Sequence, residues 1–418
     1  MQLGDVVNGD AAPYGQPLDG VRILAAEQMQ ALPYATQLLA RLGADVVKVE
    51  HPGVGESGRG SFPHMVDPDG RTVGATFLRN NLNKRSVAID LKRPEGRELF
   101  LSLVPRFDVV CENFKAGTMA RLGLGYDVIG ERHPAAIYLS LSGFGNAVET
   151  PYRNWPAYAS IVEAMSGIYV YKREPGRGPR ANPVGALGDI SSALFGTIGV
   201  LAALRHRDRT GEGQQIDVAM LDAILAMTDI VTNLWSMGIH GQVEDEIKAI
   251  VDSFAAGDGW FVLQCVRPQH FTALAVVIGK PAWNDDPRFA TSAGWIHNIG
   301  EVRAAIEAWA APMTKFEAAA ALSAAGLAAG PCLTPPEVIA DPHVAARHML
   351  VETPRTDDPD GELGPILVPG NPVKMSKVAE GPETRVPWLG EHTAEVLSTE
   401  LGLGHDDLAK LRAEGVIG

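Results

Sequence analysis

Residues 21 to 53 constrain the chain more than any other stretch. "VRILAA" (21–26) and "DVVKVEHPG" (45–53) are short β-rich runs, and "ALPYATQLLARLGA" (31–44) between them has the helical period and the length of a crossover. Two strands joined through a helix are expected to run parallel, in a sheet covered on its faces. The pattern continues in "KRSVAIDL", "PEGRELFLSLVPRF", "DVVCENF" and "AAIYLSLSGFG". The fold expected is α/β, with a Rossmann-like large domain.

At 418 residues the chain exceeds the roughly 250–300 residues at which single cores stop growing. Texture changes around residues 240 to 330, where "GWFVLQCV", "VRAAIEAWAAPM" and "FEAAAALSAAG" mix short strands with alanine-rich helices. The expected division is residues 1–225 as the first part of the large domain, 226–330 as a smaller α+β domain, and 331–418 as a C-terminal part returning to the large domain. The formal charge of −14 argues against nucleic acid as a partner, so a polyanionic ligand has to meet a local basic pocket. Cys111, Cys265 and Cys332 are far apart in sequence, which points to no zinc site or disulfide framework and to a reducing, cytoplasmic setting. The first twenty residues lack a leader-like pattern, and the longest apolar run, 193–204, reads as a core helix, so no membrane association is expected.

Motif chemistry begins with an omission. The first strand–helix turn, "AAEQMQALPYA", holds no glycine, which disfavours a nucleotide-dependent dehydrogenase. In "GALGDISSALFG" (185–196) a single carboxylate, Asp189, precedes an apolar helix that ends in a basic cluster. A side-chain oxygen there suits a helix start, so on local grounds Asp189 reads as a structural cap.

Taken together, "LDGVRIL", "LGADVVKVEHPGVGE", "FLRNNLNKRSVAIDLKRPEGRELF", "DVVCENFKAGTMARLGLGYD", "LSLSGFG", "GALGDISSALFGTIGVLAALRHRDRTGEGQQIDVAMLDA", "GLAAGPC", "DPHVAAR" and "VPWLGEHTAEVL" resemble, in order, the class III CoA transferases. That family includes formyl-CoA transferase, carnitine CoA-transferase and the 2-methylacyl-CoA racemases. The resemblance implies CoA transfer from an acyl-CoA to a free carboxylic acid, with Asp189 as the covalent catalyst passing through an aspartyl anhydride and an aspartyl-CoA thioester. It implies no metal or bound cofactor, CoA contacts at Gln30, Ala31, His51, Asn83, Lys84, Arg85, Asn113, Phe114 and Arg121, and a substrate pocket with Tyr158 and Gly188. It also implies an interlocked homodimer of ring-shaped chains.

Departures narrow the choice. Glu50 is followed by His51 where formyl-CoA transferase types carry a basic residue, and Ser61 lies where oxalate-specific members have a tryptophan. Formyl or oxalate is therefore not the expected substrate. Tyr158 and Ala159 occupy the place of the racemases' His–Asp pair, and a phenol titrating near 10 is a poor replacement for imidazole. A racemase or epimerase, and a non-catalytic acyl-CoA-binding protein, remain the alternatives. Arg153, Arg173, Arg177 and Arg180 are candidates to meet an acceptor acid or to face water.

Overall fold

The computed structural model describes the chain except for residues 172–177, 180, 182–184, 241–248 and 359–361. Arg173, Arg177 and Arg180 lie outside the described residues. One compact unit comprises Met1–Val231 with His343–Gly418, and a second comprises Thr232–Pro342. These limits differ by several residues from the 225/226 and 330/331 divisions read from composition.

Among the described residues the strands follow in chain order: β1 Arg22–Ala26, β2 Asp45–Glu50, β3 His64–Val66, β4 Thr72–Gly74, β5 Lys84–Ala88, β6 Val109–Glu112, β7 Ile137–Ser142, β8 Gln214–Ala219, β9 Ile250–Ala256, β10 Gly259–Cys265, β11 Ala328–Pro331, β12 Leu350–Thr353 and β13 Ile366–Pro369. The first unit is built on a six-stranded sheet in the order β5-β2-β1-β6-β7-β8. Every pairing in it is parallel, for example Leu24 with Val47 and with Val110. Counted within this sheet the order is 3-2-1-4-5-6, so strand order reverses between β1 and β6, where doubly wound sheets open a crevice at their carboxyl ends.

Alternation along β1 shows why the sheet is covered twice. Ile23 and Ala25 join Leu32, Leu39, Ala193 and Val200 of the helices Ala31–Ala40 and Leu187–Thr210 on one face. Leu24 and Ala26 join Phe100, Leu103 and Ile129 on the other. On that second face Val396, Leu397 and Leu408 of the tail helices Thr393–Leu401 and His405–Ala413 complete the core. Apolar runs such as "IYLSLS", buried throughout, are what a sheet packed on both sides demands.

The helix Leu187–Thr210 is longer than the apolar run 193–204, and is long and apolar enough to cross a membrane, although half of its apolar window is buried against this sheet and its neighbours. The second unit folds around the antiparallel order β11-β10-β9. Phe254, Phe261 and Leu263 of that sheet pack with Phe271, Trp295 and Ile306 from its helices.

Candidate active site

The crevice at the strand-order reversal is stitched by side chains. The Asn113 amide, just past β6, accepts from the Gln28 backbone N–H at 2.8 Å and donates to the Gln28 carbonyl at 2.9 Å. Glu56 accepts from the Met29 N–H at 2.7 Å. Met29 is held at φ 60°, a left-handed conformation that costs a non-glycine residue about 1 kcal/mol or more. Gln30 then starts the helix Ala31–Ala40, whose first-turn N–H groups have no partner inside the helix.

Beneath this turn lies a buried charge cluster. The Lys84 ammonium contacts Glu27 Oε1 at 2.7 Å, the Pro33 carbonyl at 2.8 Å and Asn81 Oδ1 at 2.9 Å, while Lys48 meets the same Glu27 oxygen at 3.4 Å. Burial pushes Lys84 down to about 8 against the opposing pull of Glu27. Arg59 grips Glu50 with two bonds of 2.7 Å and stacks on Phe77.

Beside them opens a cavity of about 810 Å³, lined by loops that follow the carboxyl ends of four strands. Gln28 comes from the loop after β1, His51 after β2, Lys92 after β5, and Phe114 with Thr118 after β6. The volume suits a cofactor-sized ligand, for which pockets of roughly 300–1,000 Å³ are usual. Of the expected CoA contacts, His51 and Phe114 line it, Asn113 braces its wall, and Arg121 donates to Thr118 Oγ1 at 2.9 Å on its rim.

The "NKRS" loop is a correction. Lys84 is fully enclosed with its partners. Arg85 is tied to Asp45 at 2.6 Å and Glu395 at 3.2 Å. Asn83 is tied to Glu383 and to the Thr384 N–H. Because β5 begins at Lys84, these residues stand at the amino end of a parallel strand, so the loop presents no free cation to the crevice. Lys92, four residues past the end of β5, is exposed and lines the cavity instead. It was missed from sequence, where a lysine in "DLKRPEG" looks like any solvated charge.

Asp189 is the third residue of the helix Leu187–Thr210, after the left-handed pair Gly185 and Ala186. It does not cap the helix. Among the described residues its carboxylate has no hydrogen-bond partner, and Ser191 and Ser192 turn their hydroxyls to the Gly188 carbonyl instead. Burial, and secondly the charge of Glu163, push Asp189 up to about 6. Gly188 is required by close approach, since a Cβ there would come 2.7 Å from Val162 Cγ2 and 3.1 Å from the Ala159 Cα. Its amide is engaged by Glu163 at 3.2 Å, so it is not open to a ligand.

Ala31 packs in one apolar cluster with Ala159 and Val162, against which Ala186 and Leu187 rest. The cavity turn, through Gln28 to Ala31, therefore leads to the helix start that carries Asp189. Tyr158 begins the helix Ala159–Met165 and is 69% exposed. Arg153 is paired with Glu149. Several buried acids went unread in sequence, Glu27 and Glu56 among them. Glu163 is another, and Glu112 is pushed up to about 7 by burial while accepting from Ser140 and from the Phe114 N–H. Among the described residues no cluster suited to a metal ion occurs.

The family model described as CoA-transferase family III matches residues 18–393. Succinyl-CoA–D-citramalate CoA-transferase of Chloroflexus aurantiacus is 35% identical, covering 96% of this chain and 98% of that protein. Formyl-CoA:oxalate CoA-transferase of Streptomyces avermitilis is 33% identical, over 96% and 99%. The crystal structure of a CAIB/BAIF family protein from Brucella suis superposes with a TM-score of 0.79 at 31% identity, covering 92% of this chain and 99% of that one. The chain belongs to CoA-transferase family III, and it is an enzyme of that class.

Proposed function

We propose that the enzyme moves CoA from an acyl-CoA to a free carboxylic acid through covalent intermediates on Asp189. The observation that carries this reading is a buried carboxylate without a hydrogen-bond partner among the described residues, pushed up to about 6 by its burial, at a helix start beside the turn that leads from the cavity. Near neutral pH it is mostly ionised, yet more basic than an ordinary aspartate.

An Asp189 oxygen attacks the thioester carbonyl, the C–S bond breaks, and CoA leaves as thiolate, giving a mixed anhydride. The thiolate then attacks the Asp189 carbonyl, releasing the first acid as carboxylate and forming an aspartyl-CoA thioester. The acceptor carboxylate attacks that thioester and expels the thiolate again. Attack of the thiolate on the acceptor's acyl carbon finally restores Asp189. Protons and electrons balance without a metal or redox group. The first-turn N–H groups of Ala31–Ala40 are suited to the oxyanions, since the Gly188 amide is taken.

In this reading the nucleotide end of CoA lies in the cavity with His51, Lys92, Phe114 and Arg121, and the pantetheine arm passes Gln28, Gln30 and Ala31. Tyr158 and Gly188 border the acyl group. The C. aurantiacus relative's name supports succinyl-CoA as donor and a small dicarboxylic acid as acceptor. The interlocked homodimer is also part of the proposal. Its support is the exposed stripe Leu194, Ile198 and Leu201, with Phe195 beside it, on the long helix.

The test is isotope exchange between succinyl-CoA and labelled carboxylic acids. Asp189→Asn is expected to abolish exchange while CoA still binds by calorimetry. Exchange at the wild-type rate would overturn the assignment.

A further inference from the structure

A second carboxylate stands beside Asp189, and the reaction above gives it no task. Glu163 lies in the helix Ala159–Met165 and is 2% exposed. Its Oε1 accepts from the Gly188 N–H at 3.2 Å, and its Oε2 accepts from the Tyr169 hydroxyl at 2.6 Å. Among the described residues no cation pairs with it. Burying an unpaired charge is costly unless hydrogen bonds and dipoles replace water, and both of its bonds serve that end. One of them is to the first turn of the helix that carries Asp189, whose N-terminal end favours negative charge.

We propose that Glu163 is a positioning residue for acyl transfer: it fixes the first turn of the long helix through Gly188, and its negative charge makes the adjacent Asp189 carboxylate a stronger nucleophile. The inference rests on the reading of Asp189 as the covalent catalyst.

Geometry singles out Glu163 for this task. The long helix packs against the helices Ala31–Ala40, Ala159–Met165 and Met220–Met227 and against β7 and β8. Their described titratable groups are Tyr34 on the first helix, Glu163 on the second, Asp222 on the third, Tyr138 on β7 and Asp217 on β8. Of these, Glu163 is the one whose charge acts on Asp189. A neighbouring like charge favours the protonated form, and a more basic carboxylate attacks a carbonyl faster as long as it stays ionised. Glutamine at 163 would keep an acceptor for the Gly188 amide and delete the charge, so Glu163→Gln separates the two effects.

The experiment measures rapid-quench acylation of Asp189 by succinyl-CoA against pH. An adduct on Asp189 in the wild-type enzyme tests the underlying reading by itself, and its absence overturns that reading before any variant is compared. With the adduct present, Glu163→Gln is expected to bind CoA normally. The midpoint of its acid limb should fall by about one pH unit from a wild-type value near 6, and its plateau rate should fall several-fold. An unmoved limb in this variant overturns the role of the charge. Tyr169→Phe leaves the charge in place and loosens its anchoring. It should keep the limb near 6 and slow the plateau, and a wild-type plateau rate would overturn the positioning role.

Discussion

At the scale of single residues, Asp189 carries a thermodynamic cost that can be measured without assaying the reaction. Its native titration near 6, against an ordinary aspartate value of 3.8, means that the fold disfavours the charged form. The stability linked to this group is fully present below pH 3.8 and is lost as pH rises through 6. Asp189→Asn should therefore be the more stable protein at pH 7.5, by about 3 kcal/mol. That advantage should shrink as pH falls through 6 and disappear below about 4. Urea melts of both proteins across this range check the sign. A nucleophile that costs stability in the resting fold is what a site built for reaction, rather than for capping, would contain.

At the scale of elements, what separates the legible from the illegible is whether information is local. The strand and helix runs of the large sheet were readable because burial on both faces imposes continuous apolar strands and a helical period between them. The turn "AAEQMQALPYA" was readable as something other than a dinucleotide loop, although the left-handed backbone of Met29, its anchoring by Glu56 and the hold of Asn113 on Gln28 need partners far away in sequence. Lys84 and Arg85 misled for the same reason. In one dimension they are two cations in a loop, whereas in the sheet one is sealed against Glu27 and the other is paired at the opposite strand end. Glu163 leaves only a faint sequence signal, a lone acid in the apolar run "ASIVEAM".

Two outcomes follow from this placement. Lys84→Met should lower stability by about 3 kcal/mol, since Glu27 would keep the Thr36 hydroxyl at 2.7 Å but only the more distant cation Lys48, at 3.4 Å. A small effect on the urea midpoint together with a large loss of CoA affinity would return Lys84 to ligand binding. Lys92→Ala should weaken CoA binding about tenfold at little cost in kcat, the expected effect of losing one charge-assisted phosphate contact. Titration calorimetry and the division between KM and kcat check it.

At the scale of the whole molecule, the long helix has two apolar duties. One face completes the sheet core through Ala193, Val200 and Leu204, and the other leaves Leu194, Ile198 and Leu201 exposed. In the proposed homodimer this second stripe is covered by the partner. Sedimentation at micromolar concentration should show a dimer, and Ile198→Glu should shift it toward monomer. A wild-type monomer would contradict the interlocked assembly while leaving the chemistry at Asp189 untouched.

The central claim is covalent catalysis at Asp189, and one measurement reaches it most directly. The enzyme is incubated with succinyl-CoA, quenched with hydroxylamine, and analysed by intact mass and by mapping the peptide that spans residue 189. A hydroxamate on Asp189, absent in Asp189→Asn, is the predicted result. An unmodified peptide at every time point, in enzyme that is turning over, would contradict the account.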